Sequence, residues 1–213
     1  MKIALIGATG FVGSKVLAEA LARGHSVTAI ARNTGKLPAG RNLVAVAGDV
    51  NDPAAVARLV AGHDAVVSAY NSMQDGSDVY NRFVAATKAI YEGVRRSGVK
   101  RLLVVGGAGS LEIKPGVQLV DTPEFPEVWR EGARGAREAL TLLRQEKTLD
   151  WSFVSPSLLL EPGARTGQFR LGDDAPLFDA KGESRISVED LAVAIVDELE
   201  NPRHIRKRFT AGY

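Results

Sequence analysis

Three glycines near the start of the chain have the spacing of a phosphate-binding turn. Gly7, Gly10 and Gly13 follow the apolar stretch Lys2–Ile6 and open a helical pattern over residues 10–23. In a strand–turn–helix unit such glycines allow a tight turn, let the backbone approach a pyrophosphate and let the helix pack closely on the sheet. The free N–H groups and dipole at the helix start favour phosphates. The sequence predicts a dinucleotide site, and a glycine-rich turn that binds nothing is the alternative. Its residues are Gly7, Thr9, Gly10, Phe11, Val12 and Gly13.

The end of the second apolar stretch indicates which dinucleotide would bind. Ser26–Ala31 is followed by Arg32 and Asn33, with no Asp or Glu close by. An acidic residue here usually bonds the ribose 2′-hydroxyl of NAD, whereas arginine can pair with the 2′-phosphate of NADP. The sequence therefore predicts NADP(H) in preference to NAD(H). The alternative is a surface arginine at a strand end.

Further cofactor residues are expected after the other predicted strands, because ligands of a parallel sheet bind beyond the carboxyl ends of its strands. Their expected places are Asp49 and Val50 at the adenine, Ser68, Ala69 and Tyr70 at the ribose and pyrophosphate, Gly106 and Gly107 at the nicotinamide, and Pro156 and Ser157 at its amide group. For Asp49, a carboxylate used only within its loop is an equal alternative.

Strand-length apolar runs alternate with amphipathic helices along the whole chain. The predicted strands are Lys2–Ile6, Ser26–Ala31, Leu43–Ala47, 64–69, Arg101–Val105, 150–154 and Lys207–Gly212, and the predicted helices are 10–23, 53–61, 78–97, 125–147 and 188–200. This alternation predicts an α/β, Rossmann-type, doubly wound parallel sheet with helices on both faces. The first five strands are apolar throughout, as expected when both faces of a sheet are covered. We expect the sixth strand to end before Pro156.

Length and composition limit the domain organisation, the kinds of partner and the kinds of catalytic chemistry. The chain has 213 residues, which fits one NAD(P)-binding domain over 1–213 with residues 155–186 as a loop-rich substrate cap. Lys and Arg number 27 against 25 Asp and Glu, so no nucleic-acid or membrane partner is expected. The absence of Cys excludes disulfides and thiolate catalysis and fits a cytoplasmic protein. No metal site is expected, since the three His are far apart in the sequence.

Several motifs together make the sequence recognisable. They are the glycine loop, Ala31-Arg32-Asn33, Gly48-Asp49-Val50, and residues 104–112, 151–157 and 186–192. With them the chain resembles the atypical short-chain dehydrogenase/reductase superfamily. More closely it is similar to the NmrA-like, NAD(P)H-binding branch that includes proteins named NADH-flavin reductases and is related to flavin reductase/biliverdin-IXβ reductase. The resemblance implies a Rossmann fold with a small C-terminal substrate lobe.

The catalytic pair of most short-chain dehydrogenases is missing. Those enzymes carry Tyr-x-x-x-Lys after the fifth strand, and the tyrosine acts as the acid. None of the four tyrosines here has lysine four residues later. This absence weighs against alcohol chemistry and is compatible with hydride transfer to a flavin or quinone, whose conjugated ring spreads the charge. Ser110 is the nearest candidate catalytic hydroxyl, and a loop serine bonded to backbone is its alternative.

Two functions are therefore predicted as rivals. The first is an NAD(P)H-dependent oxidoreductase, with NADPH as hydride donor and a flavin, quinone or similar flat molecule as substrate. The second is a non-catalytic NADP(H)-binding redox sensor of the NmrA-like type. An isomerase or reductase acting on another metabolite is a third possibility. Phe125, Pro126 and Trp129 either wall the substrate pocket beside Met73 or pack within the fold. The protein is expected to be a monomer or homodimer.

Overall fold

The computed structural model describes residues 1–72 and 77–213. Its strands are β1 (Lys2–Ile6), β2 (Ser26–Ala31), β3 (Leu43–Ala47), β4 (Ala65–Ser68), β5 (Arg101–Val105), β6 (Glu112–Lys114), β7 (Val117–Gln118), β8 (Asp150–Pro156), β9 (Leu159–Glu161), β10 (Arg170–Gly172), β11 (Arg185–Ser187) and β12 (Lys207–Gly212). Its α-helices are α1 (Phe11–Ala22), α2 (Pro53–Val60), α3 (Val79–Ser97), α4 (Glu127–Gln145) and α5 (Val188–Glu200).

Eight of these strands form one sheet in the order β10-β12-β8-β5-β4-β1-β2-β3. All neighbouring pairs are parallel except β10 with β12. The chain runs from β1 toward β2 and β3 on one side and later toward β4, β5 and β8 on the other. The strand order therefore reverses between β1 and β4, which is where ligands of such sheets bind. The predicted Rossmann-type architecture is confirmed.

A hydrophobic core lies on each face of the sheet. Helices α1 and α5 cover one face, with Leu17 and Ile195 among the buried residues. Helices α2, α3 and α4 cover the other, with Val56, Ile90 and Leu140. The layers follow from the amphipathic helices that the sequence predicts between successive strands.

The helix ends have the residues that their positions require. Asp52 accepts hydrogen bonds from the N–H groups of Ala54 and Ala55 at the start of α2, at 2.9 and 3.2 Å. Ser187 Oγ accepts from the N–H of Asp190 at 3.0 Å and caps α5. Helix α3 ends at Gly98, whose φ of +82° is accessible to glycine at little cost. These caps confirm the predicted helix boundaries to within about two residues.

Two expectations about the strands were wrong. Strand β8 continues through Pro156, because β5 pairs with β8 only as far as Val154, so the missing N–H of proline breaks no bond to β5. Strand β3 is not covered on both faces: it is the edge of the sheet, and Val44 is 59% exposed. Within the described chain, only a short 3-10 turn, Thr34–Lys36, lies between β2 and β3, so no α-helix connects these two strands.

Residues 155–186 hold three of the short strands. Strand β9 pairs with β11 in parallel, and β10 extends the central sheet antiparallel to β12. A second small hairpin, β6 with β7, follows the end of β5. The sequence pattern did not predict these pairings individually, because strands of two or three residues are too short to establish a period.

Candidate functional site

The glycine turn after β1 has the tight geometry that its sequence predicts. Gly7 has φ +80°, and its N–H donates to the carbonyl of Ile30 at 3.0 Å. The N–H of Gly10 donates back to the carbonyl of Gly7 at 3.0 Å, which closes the turn. A Cβ on Gly13 would lie 2.1 Å from the carbonyl oxygen of Gly7. The first turn of α1 therefore rests directly on the loop, and only glycine allows this contact.

The start of α1 is open to an anion. Gly10 provides no side-chain cap, and the first turn of the helix contains no acidic residue. Thr9 and Gly10 are exposed, Phe11 is also exposed, and Val12 packs partly against the core. Backbone N–H groups at a helix start lack intrahelical partners, so they can bind phosphate together with the hydroxyl of Thr9.

The ends of β2 and β3 lie side by side at the predicted adenine end. Ala31 is in register with Ala47, so the chain leaves both strands at one edge. Arg32 and Asn33 are exposed there, and Asn33 Oδ1 accepts from the N–H of Gly35 at 2.9 Å. Asp49 is exposed, and its Oδ1 accepts from the backbone and side-chain nitrogens of Asn51 at 2.9 and 2.7 Å. The role of Asp49 within its own loop is thus present in the structure, and contact with adenine stays a prediction.

The predicted cofactor residues after β3 and β4 include two that are largely covered. Val50 and Ser68 are 9% and 4% exposed, and their contact with the cofactor stays a prediction. A Cβ on Gly7 would lie 2.5 Å from the carbonyl oxygen of Ala69, which brings these two loops into contact. The half-buried ring of Tyr70 lies 5.8 Å from that of Phe83 on α3.

Two of the glycines after β5 are required because β8 and α4 pack closely against them. A Cβ on Gly106 would overlap the ring of Phe153, at 2.0 Å. A Cβ on Gly109 would lie 2.8 Å from the Cβ of Ala133 on α4. Only Gly107 has ordinary space, with Ala136 at 3.8 Å. The backbone of this loop therefore packs directly on Phe153 and Ala133, with no room for side chains at Gly106 and Gly109.

Ser110 is held from inside the protein. It is 2% exposed, and Nη1 of Arg208 donates to its carbonyl oxygen at 2.9 Å and to its Oγ at 3.1 Å. The same guanidinium pairs with Asp174, whose carbonyl accepts from the N–H of Glu112 at 2.8 Å. Ser110 thus has a structural role that links the β5 loop to β12. Its catalytic role stays a prediction.

Pro156 is the last residue of β8 and Ser157 follows it, and β8 lies alongside β5 and its loop. Pro156 is buried, and Ser157 is 1% exposed with its hydroxyl donating to the carbonyl of Ala211 at 2.8 Å. The hydroxyl of Ser157 is therefore used to hold β12. Contact with the nicotinamide amide stays a prediction for both residues.

The segment after β9 is tied to the helices by acidic side chains. Asp190, at the start of α5, accepts from the N–H groups of Thr166 and Gly167, both at 2.8 Å, and from the hydroxyl of Tyr213 at 2.8 Å. Although burial raises the pKa of the Asp190 carboxyl, hydrogen bonds from Thr166, Gly167 and Tyr213 lower it overall. Glu19 on α1 forms an ion pair with the guanidinium of Arg165, with Nε of Arg165 2.7 Å from Oε2 of Glu19. The cap segment is therefore anchored on the α1–α5 face.

Among the tyrosines that the structure describes, Tyr91 on α3 has its hydroxyl inside the protein. Tyr91 is buried, its hydroxyl donates to the carbonyl of Ala139 at 3.2 Å, and burial raises the pKa of the Tyr91 hydroxyl.

Among the residues that the structure covers, no group of His, Asp and Glu could hold a metal ion. In the same part of the chain no helix is long and apolar enough to cross a membrane. Met73 lies outside the described residues, so the proposed wall beside it is not described.

Comparisons with known proteins agree with this geometry. The family described as NAD(P)H-binding matches residues 7–202. Because the match spans most of its length, the chain belongs to the NAD(P)H-binding family. This membership confirms the NAD(P)H-binding branch to which the motifs of the sequence are similar.

Three solved structures are similar to this chain over its whole length. A Burkholderia pseudomallei protein, provisionally named an exported protein, has 48% identity, covers 100% of both chains and gives a TM-score of 0.90. A Bacteroides thetaiotaomicron protein, provisionally named an epimerase, has 45% identity and a TM-score of 0.93, covering 100% of this chain and 96% of the other. A Streptococcus pneumoniae protein, provisionally named an NADH-flavin reductase, has 34% identity and a TM-score of 0.84, covering 100% and 99%.

Arg208 is the clearest residue that the sequence reasoning missed. It is the second residue of the predicted strand Lys207–Gly212, and its side chain is 2% exposed. The two-residue period of a strand places Arg208 on the same face of β12 as Thr210, and Thr210 is fully buried.

Proposed function

We propose that this protein is an NADPH-dependent reductase that transfers hydride to a flavin, a quinone or a similar flat acceptor. The observation that carries the proposal is the glycine turn, open at the N-terminus of α1 and next to the reversal point of the sheet. Bound NADPH would supply the hydride. The chain would hold the pyrophosphate at this turn, the 2′-phosphate at Arg32 and the nicotinamide over Gly106 and Gly107.

A flat acceptor suits the groups at the end of β5. A ketone needs a positioned donor for the developing alkoxide, whereas a conjugated ring spreads the added charge and can take its proton from water. In the loop after β5, the buried hydroxyl of Ser110 already has a partner inside the protein. The reaction would then depend on holding two flat rings face to face.

The test is a panel of acceptors with purified protein. We expect loss of the nicotinamide absorbance of NADPH with at least one of FMN, FAD, riboflavin and menadione, and none with small aliphatic ketones. A reaction without acceptor, run in parallel, corrects for oxidation by air. Oxidation with none of the flat acceptors would contradict the proposal.

A second candidate is a non-catalytic NADP(H) sensor, and the missing Tyr-x-x-x-Lys pair favours it as well. The two candidates differ in turnover. Tight NADPH binding with no turnover on the panel, together with different binding of a protein partner in the NADPH and NADP⁺ forms, would decide for the sensor.

Ser110→Ala tests whether Ser110 is a catalytic hydroxyl. Because Oγ is buried against Arg208, we expect the variant to lose about 1.5–3 kcal/mol of stability, as for a hydrogen bond to a charged group. If Ser110 has only this structural role, kcat with the best acceptor should stay within about threefold of wild type. Thermal unfolding and steady-state rates measure the two effects. A fall in kcat of a hundredfold or so at unchanged stability would instead make Ser110 catalytic.

A further inference from the structure

The first turn of α4 carries two large apolar side chains that the fold leaves uncovered. Val128 is 77% exposed and Trp129 is 56% exposed. The other tryptophan, Trp151, is 3% exposed and lies in the core. Trp129 is therefore not part of the helix packing, which was one of its two expected roles.

The helical register shows which way Trp129 faces. Residues four and seven positions later, Ala133 and Ala136, lie on the same side of the helix. Ala133 contacts Gly109, and Ala136 lies against Gly107, so this side of α4 packs on the loop after β5. Trp129 lies on the same side, one turn closer to the N-terminus of α4 than Ala133. Because α4 connects parallel strands β5 and β8, its first turn lies at the carboxyl edge of the sheet, where the cofactor is expected.

The turn that carries Trp129 is firmly held. Nη1 of Arg130 donates to the carbonyl of Val120 and Nη2 to the carbonyl of Phe125, both at 2.8 Å. The guanidinium also lies 5.7 Å from the centre of the Phe125 ring. The indole is thus an exposed aromatic group on a fixed support, which loses little freedom when a ligand covers it.

We infer that Trp129 is the aromatic wall of the acceptor site, on which the flat ring of the acceptor stacks. This inference rests on the proposed function and names the residue that selects flat, conjugated acceptors. The indole lies on the side of α4 that continues from Gly107 and Gly109, and offset stacking would cover the exposed ring. Val128 lies on the side of Gly135, which contacts Phe83 of α3, so it faces away from this loop.

Binding of FMN, riboflavin and menadione to the protein–NADP⁺ complex, measured together with KM for the same acceptors, tests this inference. Trp129→Ala should weaken acceptor binding and raise KM about tenfold, within the range known for aromatic stacking on a flat ring. Trp129→Phe should restore most of the loss, because it keeps an aromatic face. Val128→Ala is the matched control and should leave acceptor KM unchanged. The affinity for NADPH should stay the same in all variants.

Tryptophan emission gives a second readout that needs no turnover. In wild type, acceptor binding should quench Trp129 and protect it from acrylamide, whereas Trp129→Phe should lack this response because Trp151 is buried. Unchanged acceptor binding in Trp129→Ala, or a change only in its oligomeric state, would overturn the inference while wild-type turnover still supported the proposed function. Wild-type protein that binds and reduces none of the acceptors would overturn both.

Discussion

Gly13→Ala is expected to abolish useful NADPH binding. The new methyl group would lie 2.1 Å from the carbonyl oxygen of Gly7 and 3.2 Å from the Cα of Ala8, and both contacts are with backbone. The turn would have to open, so the N–H groups at the start of α1 would no longer converge on a phosphate. We expect the Kd for NADPH to rise about 100-fold or more, which corresponds to ~3 kcal/mol. Titration of NADPH fluorescence measures it.

The same substitution also strains the fold, so a control must separate stability from binding. Gly24→Ala, at the opposite end of α1, introduces a Cβ with nothing within 4 Å but at a φ of +81°. It should cost about 1 kcal/mol of stability and leave NADPH affinity unchanged. Wild-type affinity in folded Gly13→Ala would show that this turn does not hold the phosphates.

The layers of the fold could be predicted because each depends on local patterns. Strands β2, β3 and β5 have the predicted limits, since they are apolar runs between turn residues. Asp52 and Ser187 mark helix starts through hydrogen bonds that span two or three residues. The end of β8 and the exposure of β3 were wrong because both depend on which strand lies alongside.

The use of individual site side chains was harder to predict. Arg208 and Ser110 are 98 residues apart, and Ser157 and Ala211 are 54 apart, so no local pattern indicates that these hydroxyls already have partners. The sequence predicts at which edge of the sheet a cofactor would bind, because all parallel strands end there. Which side chains face outward at that edge depends on contacts between β12, the cap and the β5 loop.

Arg32→Glu is expected to change the coenzyme preference. Arg32 is exposed just beyond β2, where the 2′-phosphate of NADP would lie. The substitution removes a charge-assisted pair and brings a carboxylate against the phosphate. We expect the Kd for NADPH to rise about 100-fold, whereas that for NADH, which lacks this phosphate, should change by less than about threefold. Parallel titrations with both coenzymes measure the ratio.

Arg41→Glu is the matched control for the change in net charge. Arg41 is exposed two residues before β3, so it lies at the amino edge of the sheet, opposite the expected cofactor. It changes the charge of the protein by the same amount, and its effect should be screened in ordinary salt. Because only Arg32→Glu acts at the phosphate, it alone should separate the two coenzymes. Equal weakening of NADPH and NADH by Arg32→Glu would mean that Arg32 contacts a part of the cofactor common to both, such as the adenine, and the predicted preference for NADPH would lose its physical basis.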